Sequence, residues 1–231
     1  MTSPTDRAEE IKPIIRDAFK DVTKAGIGVR EAIAIDDYVD QQGQEAARRA
    51  DVETHWWEIL DEFGSALSDT LSFTDTEGFR FLLPALMTAS LDGADNDPGH
   101  AVWFHLSLWN QVSNESPPHH GHPPYIDYLS RISARQNADH FSLNEAQIRA
   151  VAIFLDWYWQ REGGLIYMAR TTQLKLATSG NESSKQYAAP GHYTLSVADE
   201  MAVYDTECRI LKDWLELGGV ASASPVDAAD R

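Results

Sequence analysis

The stretch TDTEGFRFLLPALMTASLDG, residues 74–93, decides the fold, because a helix start, an apolar face and a helix stop follow one another within it. Thr74 and Glu77 have the spacing of a capping box, in which each side chain accepts from the other residue's amide. A helix is therefore predicted to begin near Asp75. Apolar residues then recur at spacings of three and four, at Phe79, Leu82, Leu83, Leu86, Met87 and Leu91. That face is predicted to be buried, and Gly93 is predicted to end the helix.

Pro84 interrupts this helix. A proline has no amide hydrogen, and its ring would crowd the carbonyl of Arg80 four residues earlier. Two arrangements satisfy this restriction: the helix kinks at Pro84, or it ends and restarts with Pro84 in a first turn. The kink most often only follows the core, although a freed carbonyl could also take part in binding.

The residues before this stretch predict three further helices. The first is expected to have Pro13 in its first turn and to end at Gly26 and Gly28. Its apolar stripe consists of Ile11, Ile15, Ala18, Phe19 and Val22. A short helix is predicted over residues 31–40. Asp51 is predicted to cap the next helix, which ends at Gly64; its mixed apolar face consists of His55, Trp56, Ile59, Leu60 and Phe63.

The residues after it continue the helical pattern. Residues 101–109 are apolar nearly all round, which indicates a buried helix, although the length also allows a strand. A modest helix is predicted over 125–135. Ser142 and Glu145 repeat the capping-box spacing ahead of a strong helix over 143–162. Ser196 precedes a last helix that continues to Leu217 and is closed by two glycines.

These patterns predict a mainly α fold, a single-domain irregular helical bundle over residues 1–217 with a kinked central helix. Residues 165–177 fit either a helix or a short hairpin. The polar, proline-rich residues 110–124 and the residues 178–192 are expected to be surface loops. Residues 218–231 are expected to be a disordered tail.

Composition limits the class of protein. The chain has 231 residues, of which 43% are hydrophobic, as expected for one compact globular domain. It has no apolar run of the roughly 18 residues that cross a bilayer, and its N-terminus does not resemble a signal peptide. We therefore expect a soluble, cytoplasmic protein. Cys208 is the single cysteine and is expected to be a small buried apolar group rather than a reactive thiol.

Charge narrows the possible partners. The sequence has 19 Lys and Arg against 36 Asp and Glu, a net charge of −17 that is spread along the chain. Such a field repels phosphate backbones and anionic lipid, so we expect neither nucleic-acid nor membrane binding. It would attract a basic protein partner. Acidity that serves solubility alone is the alternative.

Several segments in a fixed order resemble a bacterial domain-of-unknown-function family. These are the Ala18-Phe19 pair of the first helix, the Asp36-Asp37 pair, WWEI at residues 56–59, FTDTEGFRFLLPALM at 73–87 and SLNEAQIRAVAIFL at 142–155. The similarity covers roughly residues 9–162. It implies a bacterial, mostly helical, cytoplasmic protein with no agreed activity, and it supplies no catalytic residues. Residues 165–217 depart from the pattern and are read as a C-terminal helical extension.

Candidate residues for metal or acid–base chemistry are few. His55 and Glu58 form a His-x-x-Glu pair, whose spacing places both side chains on one side of a helix. A histidine beside two tryptophans is more often only satisfied at the edge of the core. His119, His120 and His122 crowd the proline-rich loop and could take up a metal, although a loop is a poor base for a built site. No nucleophile, nucleotide or cofactor motif is present, so no cofactor is predicted.

Two functions from different classes remain open. The first is a non-catalytic, acidic protein-binding module, immunity or inhibitor-like, which covers a basic partner with Trp56, Trp57, Asp61 and Glu62. The second is a small-molecule or metal-dependent enzyme. Its pocket would lie between the kinked helix and the helix of His55, with His55 and Glu58 as the proton-transfer or ligand groups.

Overall fold

The computed structural model describes residues 4–63, 67, 70–94, 98–108, 128, 130–163 and 197–221. Every regular element in these ranges is a helix, which confirms the mainly α fold. The α-helices are α1 (Pro4–Ala18), α2 (Val29–Asp36), α3 (Gln41–Ala50), α4 (Leu60–Phe63), α5 (Thr76–Leu91), α6 (Pro98–Trp103), α7 (Ala134–His140), α8 (Glu145–Tyr158) and α9 (Val197–Leu217). Short 3₁₀ turns span Trp56–Ile59 and Thr70–Phe73, and π-helical turns span Phe104–Leu108 and Trp159–Gly163.

Helix α1 begins earlier than its apolar stripe suggested. Pro4 occupies its first turn, where a proline costs no hydrogen bond, while Pro13 lies in the helix interior. The prediction that Pro13 stands in the first turn is therefore wrong. The helix ends at Ala18, and Gly28 is the N-cap of α2 rather than a stop for α1.

The helix predicted over residues 31–40 begins and ends earlier, and a second helix follows it. Helix α2 covers Val29–Asp36, and α3 covers Gln41–Ala50, which the sequence analysis missed. None of the residues of α3 is buried, so it lacks the apolar periodicity that reveals a helix in a sequence. The Asp40 side chain caps it by accepting from the amide of Gly43 at 2.9 Å.

Asp51 is a capping residue, but of a different helix from the one predicted. Its carboxylate accepts from the amides of Arg30 and Glu31, at 2.9 and 3.1 Å, in the first turn of α2. The N-cap of α2 is Gly28, which has no side chain to do this. A Cβ at Gly28 would lie only 2.5 Å from the carboxyl carbon of Asp51. The carboxylate of Asp51 therefore fits beside the first turn of α2 because residue 28 is a glycine.

Helix α5 begins and ends where the sequence predicted, but its cap differs. Asp75 is the N-cap and accepts from the Gly78 amide at 2.8 Å, whereas the Thr74 hydroxyl donates to the carbonyl of Leu71. The capping box of Thr74 and Glu77 is therefore wrong, because Asp75 is the nearer side chain to the exposed amides. The helix continues through Pro84, so the restart at Pro84 is wrong as well.

The predicted face of α5 is buried, and the burial extends nearly around the helix. Its buried residues are Gly78, Phe79, Phe81, Leu82, Leu83, Pro84, Ala85, Leu86, Met87, Ala89, Ser90 and Leu91. It contacts α1, α6 and the 3₁₀ turn at Trp56–Ile59. Helix α5 is thus the central helix of the bundle.

The second half of the bundle confirms helices but moves their boundaries. Residues 98–108 are helical, so the strand alternative for this run is wrong. Of the helix predicted over 125–135, residues 128 and 130 are helical, and residues 125–127 and 129 are outside the described residues. Helix α7, over Ala134–His140, is a separate helix that the sequence analysis did not predict. The capping box of α8 is Asn144 with Gln147, not Ser142 with Glu145.

The last helix, α9, has the predicted bounds and packs against α7 and α8. Its Ile210, Leu211 and Trp214 are fully buried and belong to the same hydrophobic core cluster as α1 and α5. Cys208 is buried and free, as predicted. The disordered tail predicted from residue 218 begins too early, because the amides of Gly218, Gly219 and Val220 bind carbonyls of α9 and close that helix. The predictions for residues 110–124, 165–177, 178–192 and 222–231 concern segments outside the described residues.

Among the described helices, none combines the length and the apolar character needed to cross a membrane.

Candidate functional site

In the segment His55–Glu58, the carboxylate of Glu58 binds backbone amides close to it in the chain. The Glu58 carboxylate accepts from the amides of Thr54 and His55, at 2.7 and 3.1 Å. These two amides hold the pKa of Glu58 below its usual range, because they stabilise the ionised carboxylate. Glu58 therefore caps the start of the 3₁₀ turn Trp56–Ile59, in which it lies.

The His55 ring lies flat against Trp57, with 4.4 Å between the ring centroids and an interplanar angle of 7°. Its Nδ1 is buried and has no hydrogen-bond partner. No hydrogen bond joins the ring to the carboxylate of Glu58. The structure thus places the two residues three positions apart on one turn, as the sequence predicted, without joining them as a proton-transfer pair.

The tryptophans that the sequence offered as anchors are used inside the fold. Trp56 is only 3% exposed, and its indole N–H donates to the carbonyl of Phe19 at 3.1 Å. The expected exposure of Trp56 is therefore wrong. Trp57 is half-buried between His55 and the guanidinium of Arg16, which lies 6.0 Å from the ring centroid.

The acidic residues offered beside them have a similar role. Glu62 binds the guanidinium of Arg30 at 2.7 Å, and Glu53 binds the same group at 2.6 Å. Arg30 also lies 4.9 Å from the ring centroid of Phe63. This network ties α2 to the segment after α3. Asp61 lies in α4, and its side chain is outside the described residues, as are the metal candidates His119, His120 and His122.

Within the described ranges, no three His, Cys, Asp or Glu side chains come together as a metal site.

A buried histidine, which the sequence analysis did not single out, lies in the π-helical turn after α6. His105 is 6% exposed, and its Nε2 lies 3.3 Å from the hydroxyl of Ser72. The rings of Phe79 and Phe104 stand edge-on to it. Burial lowers the pKa of His105 to about 4, so the ring is neutral near pH 7. An apolar run that contains one histidine gives no sign in the sequence that the ring is buried.

Among the described residues, the most exposed large apolar side chain belongs to the turn between α2 and α3. Tyr38 is 93% exposed, and it stands in the run Asp36-Asp37-Tyr38-Val39-Asp40, all of which is exposed. No hydrogen bond or ring contact joins the Tyr38 side chain to the described residues. We call residues 36–40 the acidic turn.

The backbone of the acidic turn is specific. The amide of Tyr38 donates to the carbonyl of Ile35 at 3.1 Å, and the amide of Val39 donates to that of Ala34 at 3.0 Å. This is the Schellman pattern that closes many helices. In it, the first of the two donor residues, which follows the C-cap, adopts the left-handed conformation. Tyr38 is that residue, with φ of 54°.

Helices α5, α7 and α9 end in the same pattern, which allows a direct comparison. Their left-handed residues are Gly93, Ser142 and Gly219. Glycine adopts this conformation without steric cost, and a small polar residue at modest cost. A bulky aromatic residue is unusual there. Tyr38 is therefore placed against its own backbone preference, and its exposed side chain forms no hydrogen bond or ring contact with the described residues in return.

Sequence reasoning missed the acidic turn because its signal depends on knowing where α2 ends. The Asp36-Asp37 pair was visible, but Tyr38 becomes unusual only once it is known to occupy the left-handed position.

No curated protein and no solved structure matches the chain. Residues 7–165 match a family of unknown function, DUF6714, which agrees with the resemblance found over residues 9–162. The matched region contains the acidic turn, the His55–Glu58 segment and α5, whereas α9 lies beyond it. Because the match spans more than half of the sequence, the chain belongs to the DUF6714 family of unknown function.

Proposed function

We propose that this chain is a non-catalytic, acidic protein-binding module, of the immunity or inhibitor type, whose acidic turn contacts a basic protein partner. The observation that supports this most directly is Tyr38. An exposed aromatic side chain in a strained backbone position costs stability, and a residue that costs stability without an internal contact is typical of a functional surface.

The chemistry of the acidic turn fits a basic partner. A tyrosine ring buries a large area at low conformational cost and accepts the face-on approach of an arginine or lysine. Asp36, Asp37 and Asp40 surround it with carboxylates that are exposed to solvent and form no ion pair with the described residues. The net charge of −17 adds a long-range attraction that would speed the encounter with a positive surface.

The experiment is an affinity capture from the native host at low and at high salt, with wild-type protein and two variants. In Tyr38→Gly the side chain is lost while the left-handed backbone is retained. Ser142→Gly is the matched control, because it makes the same kind of change at the left-handed end of α7. We expect a basic protein that high salt releases, that Tyr38→Gly no longer captures, and that Ser142→Gly still captures.

Two results would contradict the proposal. One is that no salt-sensitive basic protein is captured by the wild type. The other is a captured protein whose yield is the same with Tyr38→Gly as with Ser142→Gly, because the acidic turn would then have no part in the contact.

A further inference from the structure

Arg80 lies in the second turn of α5, and none of the described residues binds its side chain. Its side chain is half-buried, and its Nε is fully shielded from solvent without a hydrogen bond. No ion pair or hydrogen bond joins its guanidinium to the described residues. Glu77, three positions earlier on the same helix, is exposed and does not pair with it.

The other half-buried arginines show how unusual this is. Arg7 binds the buried carboxylate of Asp156 at 2.5 Å, and Arg30 binds Glu53 and Glu62. Even the more exposed Arg48 pairs with the buried Glu31. In a chain with 36 acidic and 19 basic residues, a carboxylate partner is easily found. The lack of one at Arg80 calls for a physical reason.

The position makes the missing partner costly. Leu83, Pro84 and Met87 share the helix face of Arg80 and are fully or nearly fully buried, so the stem of Arg80 lies at the edge of the core. A buried donor without an acceptor loses its hydration and gains nothing, and the loss is greater for a charged group. The positive end of the α5 dipole lies one turn away and makes a cation there less favourable still.

The same features favour a bound anion. A guanidinium offers a planar fork of N–H donors that matches the two oxygens of a carboxylate. A nearby helix N-terminus adds to the attraction for a negative group. The overall charge of −17 opposes a doubly charged phosphate more than a singly charged carboxylate.

We propose that Arg80 binds the carboxylate of a small organic acid at the edge of the core beside α5. This site is separate from the acidic turn, and it goes beyond the proposed function. A small acid could regulate the module or could be its cargo; both require the same contact at Arg80.

The test measures the unfolding midpoint in urea with sodium acetate, butyrate or benzoate, against sodium chloride at equal ionic strength. We expect a saturating rise with each of the three acids, because all of them present the same carboxylate to the guanidinium. When the concentration of the acid is about one hundred times its dissociation constant, the equilibrium constant for unfolding should fall about 100-fold. Arg80→Gln should abolish the response and Arg80→Lys should weaken it. Arg49→Gln, which removes an exposed positive charge from α3, should leave it intact.

A second measurement separates a binding role from a structural one. In chloride alone, Arg80→Gln should be at least as stable as wild type, because no partner is lost. A loss of stability in that variant would show that Arg80 supports the fold, and it would overturn the proposal. So would the absence of any carboxylate response, or an equal response in Arg80→Gln, which would indicate an adventitious ion only.

Discussion

At the scale of single residues, local backbone geometry and side-chain identity usually agree, and Tyr38 is the exception. Three other described helices end in the same hydrogen-bond pattern with glycine or serine in the left-handed position. Tyr38 makes the same turn with a bulky aromatic side chain, for which negative φ is strongly preferred. The turn is held by its two backbone hydrogen bonds and by the helix before it.

Tyr38→Gly should raise the free energy of unfolding by about 0.5–1 kcal/mol. Relief of the left-handed strain is worth roughly 1–2 kcal/mol, and the extra freedom of glycine in the unfolded chain offsets part of it. Urea unfolding at pH 7 measures the change, with Ser142→Gly as the companion variant. A fall in stability would mean that the ring contributes a contact within the fold. Together with the capture experiment, this predicts that Tyr38→Gly is more stable than the wild type and binds the basic partner less well.

His105 should make the protein less stable in mild acid. Its pKa in the folded state is about 4, below the ordinary value of 6.5 that the unfolded chain has, because the charged ring is poorly solvated in the core. Between these two values the unfolded chain takes up a proton that the folded chain does not. The stability contributed by the neutral ring is therefore complete above pH 6.5, falls as the pH drops towards 4, and is constant below that.

The comparison of wild type with His105→Gln isolates this effect, because the other titrating groups are the same in both. Between pH 7 and pH 4, the free energy of unfolding of the wild type should fall by up to about 3 kcal/mol more than that of His105→Gln. Glutamine keeps an acceptor for the Ser72 hydroxyl. Parallel pH profiles for the two proteins would show that the ring is not desolvated as the structure implies.

At the scale of elements, the apolar periodicity located the helices and the caps set their ends. The periodicity is strong in α1, α5, α8 and α9, and all of these were predicted. It is missing in α3, which has no buried residue. The ends were predicted less well, because a cap can come from a distant residue. Asp51 caps α2 across the intervening α3, and no local spacing signals that.

Pro13→Ala should raise the free energy of unfolding by about 2 kcal/mol. Pro13 lies in the interior of α1, where a proline costs about 3 kcal/mol relative to alanine, and the greater freedom of the unfolded alanine chain returns part of this. Pro13 is exposed, so no packing is lost. Thermal or urea unfolding measures the gain.

Pro84→Ala serves as the contrast for Pro13→Ala. It makes the same backbone change in α5, but Pro84 is buried, and the cavity left by its ring offsets the gain. If the Pro13 variant gains no more than the Pro84 variant, the helix around Pro13 does not form the regular hydrogen bonds that this prediction assumes.

At the scale of the whole molecule, the hydrophobic core and the excess negative charge occupy different parts of the protein. The buried apolar side chains of α1, α5, α8 and α9 form one cluster, and the excess of carboxylates lies outside it. The C-terminal extension, which departs from the family pattern, contributes Ile210, Leu211 and Trp214 to that cluster. It therefore supports the family region instead of standing apart from it.

Added sodium chloride should stabilise the protein. A net charge of −17 repels itself in the compact state, and salt screens that repulsion over distances beyond about 8 Å at physiological ionic strength. Between low salt and about 0.5 M we expect a gain of roughly 1 kcal/mol, or about 2–4 °C in Tm. A falling Tm would mean that the ion pairs of Arg30 and Arg48, which salt weakens, outweigh the general repulsion.

The sequence by itself determined the helical class, the central position of α5, the bounds of α9, the burial of Cys208 and the charge, because these follow from periodicity and composition. Only the tertiary structure decided that Trp56 is buried, that Glu58 and Glu62 bind within the fold, that Tyr38 occupies a left-handed position and that Arg80 pairs with no described residue. The physical reason is that burial and pairing depend on which residues, distant in the chain, come to face one another. Local patterns fix the helices, and long-range contacts fix what each side chain is free to do.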